Sequence, residues 1–252
     1  MIVVEDIWVK FGSKEVLKGL NLEIPEGKTT VILGRSGIGK SVLLKCILGL
    51  LQPISGRIFI DDKEFLSASK AQKKELTACI GMLLQNGALF DSMNVEDNIA
   101  FPLAYHKRAT PTEIKKKVYE YAELVGIRDS LHLMPKDLSG GMRRKVALAR
   151  AIMLHPRYLF YDEPTTGLDP TSSAIVEILI RQLKEQLNIT TLVVTHDIEL
   201  VKFLGEDVAL LEDGKILYKE AKTQAFKEES PIFQSFIASR ERIQREQGFS
   251  NR

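Results

Sequence analysis

Cysteine is nearly absent: the chain has only Cys46 and Cys79. Two thiols without metal-ligand spacing form neither a disulfide framework nor a zinc site, so two free thiols in a reducing compartment are expected. Long hydrophobic runs are missing as well. The apolar stretches at 42–44 and 47–51 are broken by Lys45 and Gly49, and none approaches the roughly 20 residues that span a bilayer. The opening residues, MIVVED, lack the positive n-region, apolar core and cleavage site of a signal peptide, and the Arg/Ser richness of a transit peptide. A mature cytosolic chain is expected, whose membrane role, if it has one, comes through a partner. Charge of one sign is also lacking. With 35 Lys and Arg against 33 Asp and Glu the net charge is +2, which argues against nucleic acid as a partner, because its binders carry a domain-wide basic bias. The lysine clusters at 70–74 and 115–117 read as solvated helix faces. There is no internal repeat, low-complexity linker or sustained heptad run.

What is present is an ordinary globular composition over 252 residues, 44% hydrophobic and 27% charged, enough for one large domain or a domain with a subdomain. Val3, Ile7 and Val9 alternate with polar residues, as do Leu20, Leu22 and Ile24; both read as strands, and 56–62 (GRIFIDD) as another. Residues 29–33 read as a buried strand, followed by a helix ending near Gly49. From 65 to 155 helical patterns dominate. Ile114, Val118, Tyr121 and Val125 form one helical stripe that stops at Gly126, and 139–155 opens with Ser139 as N-cap and closes before Pro156. This stretch is read as a helical insertion, centred on about 90–155. Alternation then resumes: a strand at 158–162, a helix capped by Asp169 with Pro170 first, a strand at 190–196, and a hairpin turning at Asp213-Gly214. The pattern predicts an α/β fold with a mainly parallel sheet covered on both faces and an antiparallel β subdomain. Residues 1–229 would form the domain and 230–252 a charged tail.

The octet GRSGIGKS, 34–41, fits G-x-x-x-x-G-K-[ST]. Glycines let successive backbone N–H groups turn toward phosphate oxygens without Cβ clashes, and the following helix points its positive end at the same anion. Gly34, Arg35, Ser36, Gly37, Ile38, Gly39 and Val42 are therefore candidate phosphate-loop residues. Lys40 reaches the β- and γ-phosphates, and Ser41 offers a hydroxyl to Mg²⁺. Further on, YLFYDEP ends an apolar strand in Asp162, an acid placed for the Mg²⁺ shell, and Glu163, a general base for the attacking water.

The segment DLSGGMRRKVALARAI makes a family resemblance specific: the chain resembles the nucleotide-binding subunits of ABC transporters, P-loop NTPases with a RecA-like core. The resemblance spans about 2–220. It implies ATP with Mg²⁺ as cofactors and ATP hydrolysis coupled to transport as activity. It also implies that Ser139, Gly140 and Gly141 bind the γ-phosphate of ATP held by a second copy. Gln85 then links metal and nucleophilic water to the transport partner. Gly167-Leu168-Asp169 crosses the dimer interface, although Asp169 also serves as a plain helix cap. His196 contacts the γ-phosphate. Phe11 stacks on adenine, in place of the commoner Tyr, or is simply a core residue. The implied mechanism is a head-to-tail homodimer with two complete sites, opening on hydrolysis.

Met142 stands where Gln usually follows the two glycines. That departure, with GKSVLLK, LLQNGALFDSMNVEDNIAFPL and LSGGMRRKVALARAI, resembles the Mla/Mce-type ATPases of bacterial lipid transport. The resemblance implies phospholipid transport and a permease pair docking near 85–103. It also implies a lipid-binding substrate protein and a peripheral place on the cytoplasmic face of the inner membrane. Ala88, Leu89, Phe90 and Met93 would either form the docking surface or pack in the core. Phe233, Phe236 and Ile237 would either clip onto the second protomer or belong to a frayed helix. Rival readings are an importer ATPase for amino acids or other polar solutes, a soluble ABC-type ATPase, and a kinase or GTPase. A kinase or GTPase would not need the Ser-Gly-Gly helix, and a GTPase normally shows a guanine-reading Asn-Lys-x-Asp motif, which is not found here.

Overall fold

The computed structural model describes residues 1–107, 109–232 and 234; Phe233, Phe236 and Ile237 lie outside the described residues. The alternating N-terminal segments form β1 (Ile2–Phe11) and β2 (Lys14–Ile24). Together with β4 (Ser55–Ile60) and β5 (Lys63–Glu64) they build an antiparallel sheet in the order β2-β1-β4-β5. A second sheet of six strands runs β10-β9-β3-β8-β7-β6. Its strands are β3 (Thr29–Leu33), β6 (Ile80–Leu83), β7 (Tyr158–Asp162), β8 (Thr190–Thr195), β9 (Asp207–Glu212) and β10 (Lys215–Ala221). All neighbours are parallel except β9 and β10, the expected hairpin around Asp213-Gly214.

The central strands β3, β7 and β8 are buried along their whole length because both faces of the sheet are covered there. Val31, Leu33, Leu159, Tyr161 and Val193 face one core; Ile32, Tyr158, Phe160, Leu192 and Val194 face the other. The second core is shared with β1 and β2 and encloses α1 (Lys40–Ile47), whose Leu43, Leu44 and Ile47 are fully buried. Each such side chain contributes about 1.5–3 kcal/mol by leaving water. Cys46 lies in the same core, and burial pushes its thiol up to about 11.

The first core is roofed by the helices α3 (Val95–His106), α4 (Pro111–Leu124), α5 (Gly140–Ile152), α6 (Pro170–Leu187) and α7 (Ile198–Leu204). The caps expected at Ser139 and Asp169 are present, and Thr110 with Glu113 adds a capping box to α4. The stretch 65–155 departs from the reading of it as helical. After α2 (Lys70–Ala78) comes β6, the edge strand of the parallel sheet. Four residues including a glycine leave no visible period. Gly81 is demanded by packing, since a Cβ there would run into the Ala151 carbonyl oxygen of α5 and Leu159 Cδ1.

Candidate active site

Because β3, β8, β7 and β6 are parallel neighbours, their carboxyl ends share one edge, where α/β sheets place ligand sites. The segments leaving those ends are the loop 34–39, His196, Glu163 and Gln85. Here they enclose a cavity of about 320 Å³. Ser36, Gly37, Gly39, Lys40, Ser41 and Val42 line one side; Gln85, Glu163 and His196 line the others.

The helix entering this cavity differs from its neighbours. α2, α3, α4, α5, α6 and α7 each start on a side-chain cap. α1 starts on Gly39, with no side-chain hydrogen bond. By helix geometry its first amides have no intrahelical partner, which suits an anion. Gly39 sits at φ 118, a left-handed value, and a Cβ would press on Leu17 and Val16 at 3.0 and 3.1 Å.

Lys40 is 4% exposed, and its Nζ donates to the carbonyls of Gly34 at 2.7 Å and Arg35 at 3.0 Å. The same nitrogen lies 3.1 Å from Glu163 Oε1. Glu163 follows β7 in the left-handed region, φ 49, a strain of about 1–3 kcal/mol of the kind concentrated at functional sites. Its Oε2 accepts from His196 Nδ1 at 2.9 Å, Thr166 Oγ1 at 3.2 Å and Thr195 Oγ1 at 3.3 Å. Burial raises the Glu163 pKa, but the hydrogen bond from His196 and the Lys40 charge outweigh it, holding the carboxyl below the ordinary 4.5. Asp162 is opposite: burial raises it most, the neighbouring Glu163 adds to this, and the Ser41 hydrogen bond only partly offsets them. Ser41 Oγ donates to Asp162 Oδ1 at 2.9 Å.

The remaining candidates stand elsewhere. Gly34 is buried and donates its amide to Thr195 O at 3.2 Å, while Ile38 packs against the core between the sheets. Phe11 ends β1 with 51% of its surface exposed, so it is not a core residue, and it does not line the cavity. Ser139, Gly140 and Gly141 open α5 as exposed or half-buried positions outside the cavity, and Asp169 caps α6 through Ser172 N at 3.0 Å. Ala88 and Phe90 are exposed, whereas Leu89 packs against the core, so the 88–93 segment divides between surface and interior. Sequence reasoning missed Val16 and Thr166, which line the cavity, and Thr195 beside Glu163. The threonines flank Glu163 and His196 in the chain, which was the only available signal.

No cluster of three or more His, Cys, Asp or Glu able to hold a metal occurs among the described residues. One hydroxyl beside one carboxylate nonetheless fits Mg²⁺, which keeps several waters and takes its other oxygens from phosphate.

A family model described as ABC transporter matches residues 17–166. The chain is 40% identical over 224 residues to the intermembrane phospholipid transport system ATP-binding protein MlaF of Haemophilus influenzae, covering 89% of this chain and 85% of that one. It is 39% identical over 220 residues to the methionine import ATP-binding protein MetN of Clostridioides difficile, covering 86% and 67%. Among solved structures, the dimeric post-hydrolysis ATP-binding cassette MJ0796 bound to ADP and Pi superposes with a TM-score of 0.80 at 30% identity, covering 88% of this chain and 99% of that one. Motif, site geometry and these similarities agree: the chain belongs to the ABC transporter family, as its ATP-binding and ATP-hydrolysing subunit, with the P-loop NTPase fold.

Proposed function

We propose that two copies of this chain close head to tail over two ATP molecules and drive phospholipid transport through a membrane permease. The observation that carries the pairing is the place of Ser139. It lies outside the cavity of its own chain, at the N-terminus of α5, where its Oγ accepts from Met142 N at 3.2 Å. A hydroxyl that accepts still has its hydrogen to donate. A phosphate brought by a second protomer supplies the acceptor, with Gly140 and Gly141 adding amides.

Within each site Lys40 and the α1 amides hold the phosphates, Phe11 offers a ring face to adenine, and Glu163 takes a proton from the attacking water. Lys40 stands between the phosphate and Glu163, so a γ-phosphate that draws it away leaves the carboxylate a stronger base at the step that needs it. His196 orients that carboxylate and reaches the γ-phosphate. Ser41 and Asp162, with Gln85 at the cavity wall, would hold Mg²⁺, which neutralises charge on the phosphate oxygens when bound.

The permease side is supported by an apolar groove of about 290 Å³, where Ala88, Phe90, Phe101 and Pro102 meet Arg150 and Leu154. Phospholipid cargo is supported by Met142 and the 83–103 segment, and by the similarity to MlaF. The almost equal similarity to MetN keeps an importer of polar solutes as a second reading. Among the described residues no helix is long and apolar enough to cross a membrane. A peripheral position on the cytoplasmic face of the inner membrane would follow from docking alone.

The test is purification of the tagged chain from its native membranes in mild detergent, with mass spectrometry of proteins and lipids. A polytopic permease with bound phospholipid is expected. A permease accompanied by a polar-solute binding protein would move the cargo to the second reading, and the absence of any membrane partner would refute the transport coupling.

A further inference from the structure

One buried cation takes no part in the mechanism above. Arg144, in the second turn of α5, is 5% exposed. Among the described residues its guanidinium meets no carboxylate. Nε donates to Pro164 O at 3.0 Å and Nη2 to Thr166 O at 3.2 Å. Burying an arginine is expensive unless its donors are used, and here they are used on the backbone that follows Glu163. Thr166 in turn donates its hydroxyl to Glu163.

The same face of α5 is tightly seated. A Cβ on Gly140 would lie 3.0 Å from Leu168 Cδ2, and one on Gly141 3.1 Å from Ser172 Oγ. The helix carrying Ser139 and the loop carrying Glu163 and Thr166 are therefore one packed unit, with Arg144 as its polar pin. Other donors of α5 hold other loops: Arg143 reaches Pro135 O, and Arg150 reaches Gly87 O and Ala88 O. Among the described residues of α5, Arg144 alone reaches the loop after Glu163 with its side chain.

We propose that Arg144 is a positioning residue that couples the two ATP sites, by tying the half-site a protomer lends its partner to the general base of its own site. This rests on the paired-site reading. A phosphate pulling on Ser139 of one protomer displaces α5, and the two hydrogen bonds of Arg144 carry that displacement to the Pro164–Thr166 backbone and so to Glu163. Closing one site then readies the other, a coupling free energy between two distinct sites.

The experiment compares the full-length wild type with Arg144→Lys and Arg144→Met. It measures the affinity for a fluorescent ATP analogue, kcat, and the Hill coefficient of the ATPase rate in ATP. Melting curves confirm folding, and Arg144→Lys, which keeps charge and one donor, carries the test if Arg144→Met does not fold. The wild type should show a Hill coefficient above one and at most two, the number of sites. Both variants should bind nucleotide within about twofold of wild type, because Arg144 touches none of the phosphate-binding groups. Their kcat should fall about tenfold to a hundredfold, the usual cost of a misplaced catalytic group. The Hill coefficient should drop toward one, less in Arg144→Lys than in Arg144→Met. An unchanged Hill coefficient overturns the coupling role even if kcat falls, and so does a loss of nucleotide affinity as large as the loss of kcat. A wild-type Hill coefficient of one, with rate strictly proportional to protein concentration, refutes the paired-site reading itself and the coupling with it. Wild-type cooperativity that survives in the variants refutes Arg144 alone.

Discussion

At the scale of the residue, the site is a set of charges that hold one another. Glu163 meets Lys40 at 3.1 Å and His196 at 2.9 Å, and Asp162 beside it accepts from the Ser41 hydroxyl. The two neighbouring carboxyls are pushed in opposite directions, Glu163 down and Asp162 up. Separated protonation tendencies of this kind mark a division of labour. Glu163→Gln should lower ATP turnover by about 10²–10⁴-fold, the range for a positioned base, while nucleotide binding persists; steady-state turnover and equilibrium binding check both halves. The same variant reports on stability. With its folded value below the ordinary 4.5, Glu163 contributes stability that is complete above that pH. The contribution is lost as the pH falls through the lower folded value. Asp162, raised, has the opposite sign, so its ionisation costs stability as the pH rises from its ordinary 3.8 through its higher folded value. Melting temperatures across the acid range should thus decline less steeply in Glu163→Gln than in wild type.

At the scale of the element, α5 and α3 organise the loops. Asn98 of α3 is fully buried and spends its amide on the segment before the helix. Its Oδ1 accepts from Phe90 N at 2.8 Å, and its Nδ2 donates to Phe90 O, Met93 O and Asn94 O at 3.0–3.1 Å. Arg150 reaches the other end of the segment and stacks 5.6 Å from the Phe90 ring. Phe90, exposed at the groove, is thereby held from two helices. Asn98→Ala leaves these backbone groups unpaired and should cost about 1–3 kcal/mol by chemical denaturation. Because Asn98 touches no group of the nucleotide cavity, kcat in the free protein should move far less than stability. The element scale is also where sequence reasoning failed. The helices α4, α5 and α6 were legible, α4 from its apolar stripe and the other two from their caps, with Ser139 and Asp169 sitting where those caps lie. β6 was not legible, since its four residues acquire meaning only by pairing with β7 and packing under α5.

At the scale of the whole molecule, the chain presents two functional surfaces that do not meet. The cavity at the sheet edge holds Lys40, Ser41 and Glu163; the end of α5 holds Ser139, Gly140 and Gly141 outside it. In the proposed pairing a second protomer completes each surface, and a two-fold axis that joins one to the other completes both at once. Ser139→Arg should abolish ATP-dependent dimerisation in the Glu163→Gln background, measured by sedimentation, and leave ATP binding to the monomer intact. Loss of nucleotide binding would overturn the assignment of Ser139 to the partner's phosphate.

What the sequence by itself determined is local. Residues 34–41 read as a phosphate cradle because glycines, a lysine and a helix start are contiguous, and β7 announces Asp162 because an apolar run ends there. Periods of two and caps at helix starts are likewise written within a few residues of one another. What only the tertiary structure decided is which of these local pieces face each other. The strand order β3-β8-β7-β6 sets four carboxyl ends side by side. Residues as distant in the chain as Lys40, Gln85, Glu163 and His196 thus close one cavity, with Thr166 and Thr195 on the Glu163 carboxylate. The hydroxyl of a threonine and the buried guanidinium of Arg144 carry no pattern along the chain. Their partners are fixed by packing between elements, because a buried polar group must find its hydrogen bonds wherever the fold brings them.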